Sequence, residues 1–379
     1  MKKVLIFYAS YGGGHLSAAK SIQNYLTENY QDLEAEMIDC MKYINKPIEK
    51  LTTGAYREMA KKAPRLWGKV YTASSKGPIS KLSKDSNKIM ARKLNHLMQE
   101  KQPDLVISTH PFSSQMVSYL KQKGKCNCIL ATIMTDFAMH SQWLIGHEYT
   151  EFFFVSNDTM KQDLVNYGVA KEKIHVTGIP MSGRFFETFD NKKTFEIFHL
   201  NPDKKVILFF GGGELGLGKE RTTQILKAFI QTASDYQIVA VAGKNEKMKE
   251  TFEALVEETN SKDRVHILGF TDKVPELMHI AILVVTKPGG LTTTESLASE
   301  LPMVIINPIP GQEEENAEFL VSNEVAVWLK KGDNPEEVID SLLKKTDTLE
   351  KMKEHAKVLS KKNSTKNICE TILHFSSAL

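Results

Sequence analysis

The chain has 379 residues, 41% hydrophobic and 25% charged, with a net charge of +3. This suits a soluble globular protein of two domains, each able to bury its own core. No apolar run approaches the ~18–20 residues of a membrane-spanning helix. Cys40, Cys126, Cys128 and Cys369 have no CxxC spacing, so they read as reduced thiols of a cytoplasmic protein rather than a disulfide frame or zinc site. Charge is spread unevenly. Residues Lys42 to Lys93 carry 14 Lys and Arg against Glu49, Glu58 and Asp85, leaving the remainder net acidic.

In chain order, the first residues imitate a signal peptide. Their apolar stretch is short and runs straight into Tyr11-Gly12-Gly13-Gly14-His15, so Val4–Ala9 reads as a buried strand. The helical pattern Leu16–Glu28 follows. Asp104–Ser108, Ile129–Thr132 and Glu151–Ser156 read as further strands beside helical stretches. Polar turn material from about Phe189 to Lys205 breaks this rhythm, which restarts at Val206–Phe210 and Gly211-Gly212-Gly213. Ile238–Ala242, Val265–Leu268, Ile280–Thr286 and Met303–Ile306 continue it, and one long helical tail, Pro335–Ser376, closes the chain. Continuous apolarity implies strands covered on both faces, hence parallel sheets in a doubly wound α/β fold. The expected domains are 1–195 and 196–379, with a ligand cleft between them and the last helix free to cross back. Ligands of such sheets gather at the carboxyl ends of strands.

Three turns lie at those ends. Gly12 to Gly14 open a helix, where amides can approach an anion. The absence of a following Gly-Lys-Ser/Thr excludes a Walker A loop. His15 at a helix start tends to stay neutral, which suits a general base. Gly211 to Gly216 match GxGxxG, but the next strand ends in Gly243-Lys244-Asn245 rather than an acidic residue, which disfavours a nicotinamide or flavin enzyme. The sharpest site is Thr286-Lys287-Pro288-Gly289-Gly290-Leu291-Thr292-Thr293-Thr294-Glu295. It is read as a pyrophosphate cradle at the positive end of a helix, with Glu295 placed to accept both ribose hydroxyls. A capped helix with a surface Glu is the plain alternative.

Gln312-Glu313-Glu314-Glu315-Asn316 offers amides and carboxylates that read sugar hydroxyls, or else a solvated acidic helix start. Asp136 and His140 have i, i+4 spacing, expected on one helix face. Asp136 would be a base, orient one, or cap a helix. His147 could complete a metal trio, but the spacing fits no zinc pattern and no metal is expected.

Together these motifs resemble the processive diacylglycerol glucosyltransferases and monogalactosyldiacylglycerol synthases, relatives of the peptidoglycan lipid-intermediate N-acetylglucosaminyltransferase. The resemblance spans nearly the whole chain and includes Asp136-Phe137, Gly178-Ile179-Pro180, Gly269-Phe270-Thr271 and Pro310 to Ala317. It implies a GT-B fold of two Rossmann-like domains and an inverting, cofactor-free transfer from a UDP-sugar. Gly14, Arg184, Gly211, Gly212, Gly213, Gly243, Lys244, Thr271, Pro288, Gly289, Gly290, Leu291 and Thr292 would then belong to the donor site, and Phe270 would hold the uracil by its backbone. Glu295 would hold the ribose, and Gln312, Glu314, Glu315 and Asn316 the hexose. His15, with Asp136 as competitor, would be the base. Lys287-Pro288 departs from the Ala-Gly-Pro-Gly of the plant galactolipid enzymes, which favours the bacterial branch and leaves glucose or galactose open.

The basic segment interleaves Tyr43, Tyr56, Arg65, Trp67 and Tyr71, a composition suited to an anionic lipid surface, each cation contributing ~1 kcal/mol. Tyr56, Arg65, Trp67, Tyr71, His140 and Trp143 are the expected acceptor or membrane contacts. The expectation is therefore hexose transfer to diacylglycerol by a peripheral protein on the cytoplasmic face of the membrane, with no nucleic-acid partner. A polyprenyl-diphosphate acceptor, a soluble UDP-sugar epimerase and a non-catalytic sugar-nucleotide sensor are the competing readings.

Overall fold

The apolar runs are strands in the computed structural model, which describes residues 2–10, 13–44, 59, 66, 68–69, 78–212 and 218–377. One sheet contains β1 (Lys2–Tyr8), β2 (Leu33–Asp39), β3 (Leu105–Ser108), β4 (Ile129–Ile133), β5 (Phe152–Val155) and β6 (Ile174–Val176). The other contains β7 (Val206–Phe210), β8 (Gln237–Val241), β9 (Val265–Leu268), β10 (Ala281–Thr286), β11 (Met303–Ile305) and β12 (Ala326–Trp328). Every pairing is parallel. The orders are β2-β1-β3-β4-β5-β6 and β12-β11-β10-β7-β8-β9.

Two compact units result. The first is Met1–Ser182 with Pro310–Glu315 and Lys361–Leu379; the second is Gly183–Ile309 with Asn316–Ser360. The chain enters the second unit at Gly183, and the polar segment that follows includes the helix Asn191–Ile197.

Alternation along β1 shows how the first core is built. Val4 and Ile6 pack with Ala19, Ile22 and Leu26 of helix Gly13–Asn29 and with Ile368, Cys369 and Ile372. Leu5 and Phe7 face the other way, onto Leu94, Leu97 and Met98 of helix Pro78–Lys101 and Met116, Val117 and Leu120 of helix Pro111–Gln122. In the second unit Ile207 and Phe209 pack with Ile225, Phe229, Met248 and Phe252. Each such side chain contributes ~1.5–3 kcal/mol relative to exposure.

The expected single helical tail is instead three helices, Pro335–Lys344, Thr346–Leu359 and Ser364–Ser377. The last break falls at Ser360, whose extended backbone (φ −60°, ψ 130°) ends a helix of the second unit before the chain returns to the first. There Ser364 Oγ donates to the Ile179 carbonyl at 2.8 Å.

Each sheet has one point where strand order reverses. In the first it lies between β1 and β3, in the second between β7 and β10. The connections from these neighbours leave in opposite directions, opening a crevice at the strands' carboxyl ends.

Candidate functional site

At the first switch point β1 leads to helix Gly13–Asn29, whose third residue is His15. Thr109, buried just after β3, clamps that residue twice. Its carbonyl accepts from His15 Nδ1 at 2.6 Å, and its Oγ1 donates to the His15 carbonyl at 2.9 Å. Thr135 Oγ1 lies 3.1 Å from the same nitrogen. A carbonyl can only accept, so Nδ1 carries the proton and Nε2 holds the lone pair. Burial pushes the His15 pKa down to about 4, opposed by the Thr109 hydrogen bond. The result at neutral pH is an uncharged imidazole with one basic nitrogen, the state a general base needs.

His110 caps helix Pro111–Gln122 beside it, its Nδ1 accepting from Phe112 N at 3.2 Å. Its ring meets that of His15 edge-on, with centroids 4.6 Å apart. Burial, and secondarily His15, hold His110 well below the ordinary imidazole range. No motif used in the sequence reading marked His110. The available signal was Ser108-Thr109-His110-Pro111, a strand exit with proline in the first helical turn.

The helical placement expected for Asp136 and His140 needs correction. Residues 134–140 form no helix, so Asp136 and His140 share no helix face and Asp136 caps none. Side chains at the β5 exit capture this backbone: Ser156 Oγ donates to the Asp136 carbonyl and Asn157 Nδ2 to the Phe137 carbonyl, both at 2.9 Å. His140 instead caps the short helix Ser141–Leu144. Trp143 is 4% exposed and packs among Met134, Leu144 and Phe153, its ring 6.4 Å from that of His15. Tyr56, Arg65, Trp67 and Tyr71 lie outside the described residues.

At the second switch point β10 ends in Thr286, and helix Gly290–Ala298 begins after Lys287-Pro288-Gly289. Gly289 supplies no side-chain cap. The first-turn amides of this helix therefore keep the positive end of the dipole open to an anion. Gly212, in left-handed backbone (φ +91°), borders the same loop; a Cβ there would lie 3.3 Å from Lys287 Cε. Glu295 follows, without a side-chain partner among the described residues, and burial pushes its pKa up to about 8. A carboxyl this far desolvated is stabilised as the neutral acid and gains from hydrogen-bond donors that favour its charged form.

Two assigned roles change here. The Gly211 amide is spent on the Val241 carbonyl at 2.9 Å, and a Cβ would strike Phe252 at 2.9 Å, so this glycine serves sheet and core packing rather than a phosphate. Asn316 is fully buried and donates Nδ2 to the Pro288 carbonyl at 3.0 Å; it fixes the loop instead of reading a sugar. Gly213 lies outside the described residues.

The other residues expected at a donor site are spread over both units. Gly243 (φ +62°) follows β8, and Lys244 Nζ stands 5.3 Å over the ring of Phe270, which is 68% exposed after β9. Thr271 Oγ1 accepts from Lys273 N. Arg184 is engaged by the Asp272 carbonyl and by Glu276, each at 2.8 Å. Gly14 lies in the first turn of the His15 helix. Pro288 and Leu291 are buried, while Gly290 and Thr292 are partly exposed. Gln312 and Glu315 are partly exposed in the helix Gln312–Ser322, and Glu314 accepts from Gly311 N at 3.1 Å.

Comparison with known proteins supplies independent findings. Residues 15–181 match the family model described as monogalactosyldiacylglycerol (MGDG) synthase, and residues 190–359 match glycosyl transferases group 1. A processive diacylglycerol beta-glucosyltransferase of Bacillus subtilis is 30% identical over 98% of this chain and 95% of its own. A protein of the same name from Staphylococcus carnosus is 31% identical, covering 98% and 93%. Among solved structures, the UDP complex of S. aureus MnaA aligns with a TM-score of 0.69 at 14% identity, covering 100% of this chain and 98% of that one. Acinetobacter baumannii MurG aligns at 0.66 and 14% identity, covering 99% and 100%. These two likenesses establish the fold alone, GT-B.

Proposed function

The chain belongs to the family of processive diacylglycerol beta-glucosyltransferases, and from that premise we propose that it transfers a hexose, glucose or galactose, from a UDP-sugar to diacylglycerol. One observation carries the donor half: a desolvated Glu295, without a partner among the described residues, set behind a helix start with no side-chain cap at the switch point of the second sheet. A ribose diol donates two hydrogen bonds to a carboxylate, and a diphosphate suits the helix amides. The match of residues 15–181 to the MGDG synthase model favours diacylglycerol over a polyprenyl diphosphate as acceptor.

In this reading His15 Nε2 removes the proton of the acceptor hydroxyl as its oxygen attacks the anomeric carbon. UDP departs from the opposite face, so the configuration inverts. Backbone amides at Gly290 and its neighbours meet the negative charge growing on the diphosphate, with no cation required. Arrival of a lipid acceptor places the protein peripherally on the cytoplasmic membrane face, attracted by the Lys42–Lys93 charge; no described helix is long and apolar enough to cross a bilayer.

The test is direct. The protein is incubated with UDP-glucose or UDP-galactose and diacylglycerol in anionic vesicles, with and without a chelator, and the lipid product identified. A glycolipid formed equally in chelator is expected. Its absence with both donors would overturn the reading, and equal pelleting with neutral and anionic vesicles would overturn the electrostatic attachment.

A further inference from the structure

We propose that His110 is a positioning residue for the reaction: a neutral imidazole, locked in place by its own helix, that holds the His15 ring with Nε2 as the proton-accepting nitrogen. The inference rests on His15 being the base, and it concerns a residue whose position at a helix start is otherwise explained by capping alone.

Capping does not account for how firmly His110 is held. Ser108 Oγ and Ser113 Oγ each lie 2.9 Å from its carbonyl and 2.6 Å from each other, so one hydroxyl donates to the carbonyl and the other to its neighbour. Its Nδ1 is committed as an acceptor to Phe112 N. The neutral ring must then carry its proton on Nε2. Residue 110 is 6% exposed, so the ring excludes water from the flank of His15. An Asn or Asp would cap this helix as well; neither would present a flat, uncharged ring to a second imidazole at 4.6 Å.

His15 is contacted by the Thr109 carbonyl and Thr135 hydroxyl, and Trp143 lies at 6.4 Å. The interacting ring on the β3 side is His110 itself. Two imidazoles this close do not both hold a proton at neutral pH. A fixed neutral His110 therefore leaves His15 as the partner that receives one.

The experiment compares the full-length wild type with His110→Asn and His110→Phe. Asn keeps an acceptor for the Phe112 amide; Phe keeps the ring but loses the cap. For His110→Asn, kcat is expected to fall about 10- to 100-fold with KM for the UDP-sugar unchanged. The acid limb of its kcat profile should move upward from about 4 as water reaches His15. His110→Phe should keep the limb near that of wild type. Nitrogen-15 NMR of histidine-labelled wild type should show His15 protonated on Nδ1 and His110 on Nε2.

Wild-type kcat and an unmoved limb in His110→Asn would overturn the inference, as would the opposite His15 tautomer in the wild type. If His110→Asn loses its cooperative melt, His110→Phe and the wild-type tautomers decide. His15→Gln separates the two claims: retained transfer there removes the base reading itself. Its loss, with a normal His110→Asn, removes only the role of His110.

Discussion

The two switch points are built from the same parts and end in opposite electrical states of readiness. Each has a helix start after a strand and a partly buried titratable side chain within that helix, His15 in one and Glu295 in the other. In the first unit burial lowers His15 to about 4, so the proposed base is uncharged before any substrate arrives. In the second, burial raises Glu295 to about 8, so at neutral pH the carboxyl is largely protonated and lacks the charge with which it would hold a ribose. One desolvation effect thus prepares a base at one site and leaves an acceptor dependent on its ligand at the other. Proton transfer needs a preset group, whereas donor capture can draw on the ligand's own hydroxyls to ionise the carboxyl.

The largest effect that would break this contrast is expected at His15. His15→Gln should lower kcat about 10²- to 10⁴-fold, the range of a general base, while UDP affinity by calorimetry stays unchanged. Its stability signature has a definite sign. A histidine depressed from 6.5 to about 4 contributes stability that is present above 6.5 and lost as pH falls through 4. Melting temperatures of wild type should therefore fall more steeply than those of His15→Gln between these values.

Next comes Glu295→Gln, expected to weaken UDP about 10- to 100-fold through loss of a charged acceptor. In the wild type, UDP affinity should rise as pH climbs toward about 8 and level off above it. The apo protein should show the reverse. A carboxyl raised from 4.5 to about 8 contributes stability below 4.5 that is lost as pH rises through 8, so apo Glu295→Gln should gain on wild type toward pH 9. A pH-independent UDP affinity in wild type would remove the contrast between the sites. Asn316→Ala should cost ~1–3 kcal/mol by leaving the Pro288 carbonyl without its donor, read as a lower Tm together with weaker UDP binding.

Strands buried on both faces were legible because their apolarity is continuous, as at Phe152–Val155 and Val206–Phe210. The edge strand Leu33–Asp39 was not read: it pairs only with β1, and Glu34 and Glu36 interrupt its apolar pattern. Local chemistry marked His15 and the Thr286–Glu295 segment, since glycine, helix start and side chain are contiguous. Asn316 and Gly211 were given ligand roles because sequence shows residue type but not where a hydrogen bond is spent. Both are committed to backbone carbonyls brought near by the sheet, the first to Pro288 and the second to Val241. His110 was overlooked for the same reason, because its contact with His15 spans 95 residues and arises only from β1 pairing with β3.

The smallest expected effect tests how the base of the nucleotide is read. Phe270 is 68% exposed, so Phe270→Ala removes almost no core packing and should shift stability by no more than about 0.5 kcal/mol. Its ring does hold one partner, the Lys244 ammonium at 5.3 Å, an exposed cation–π contact of ~0.5–1 kcal/mol. If the Phe270 backbone carries uracil recognition, trimming the side chain loses only that indirect ordering of Lys244. UDP affinity should then weaken about two- to fivefold. A loss beyond about tenfold would move recognition from backbone to ring and make the donor site, like the base, one that depends on a preset side chain.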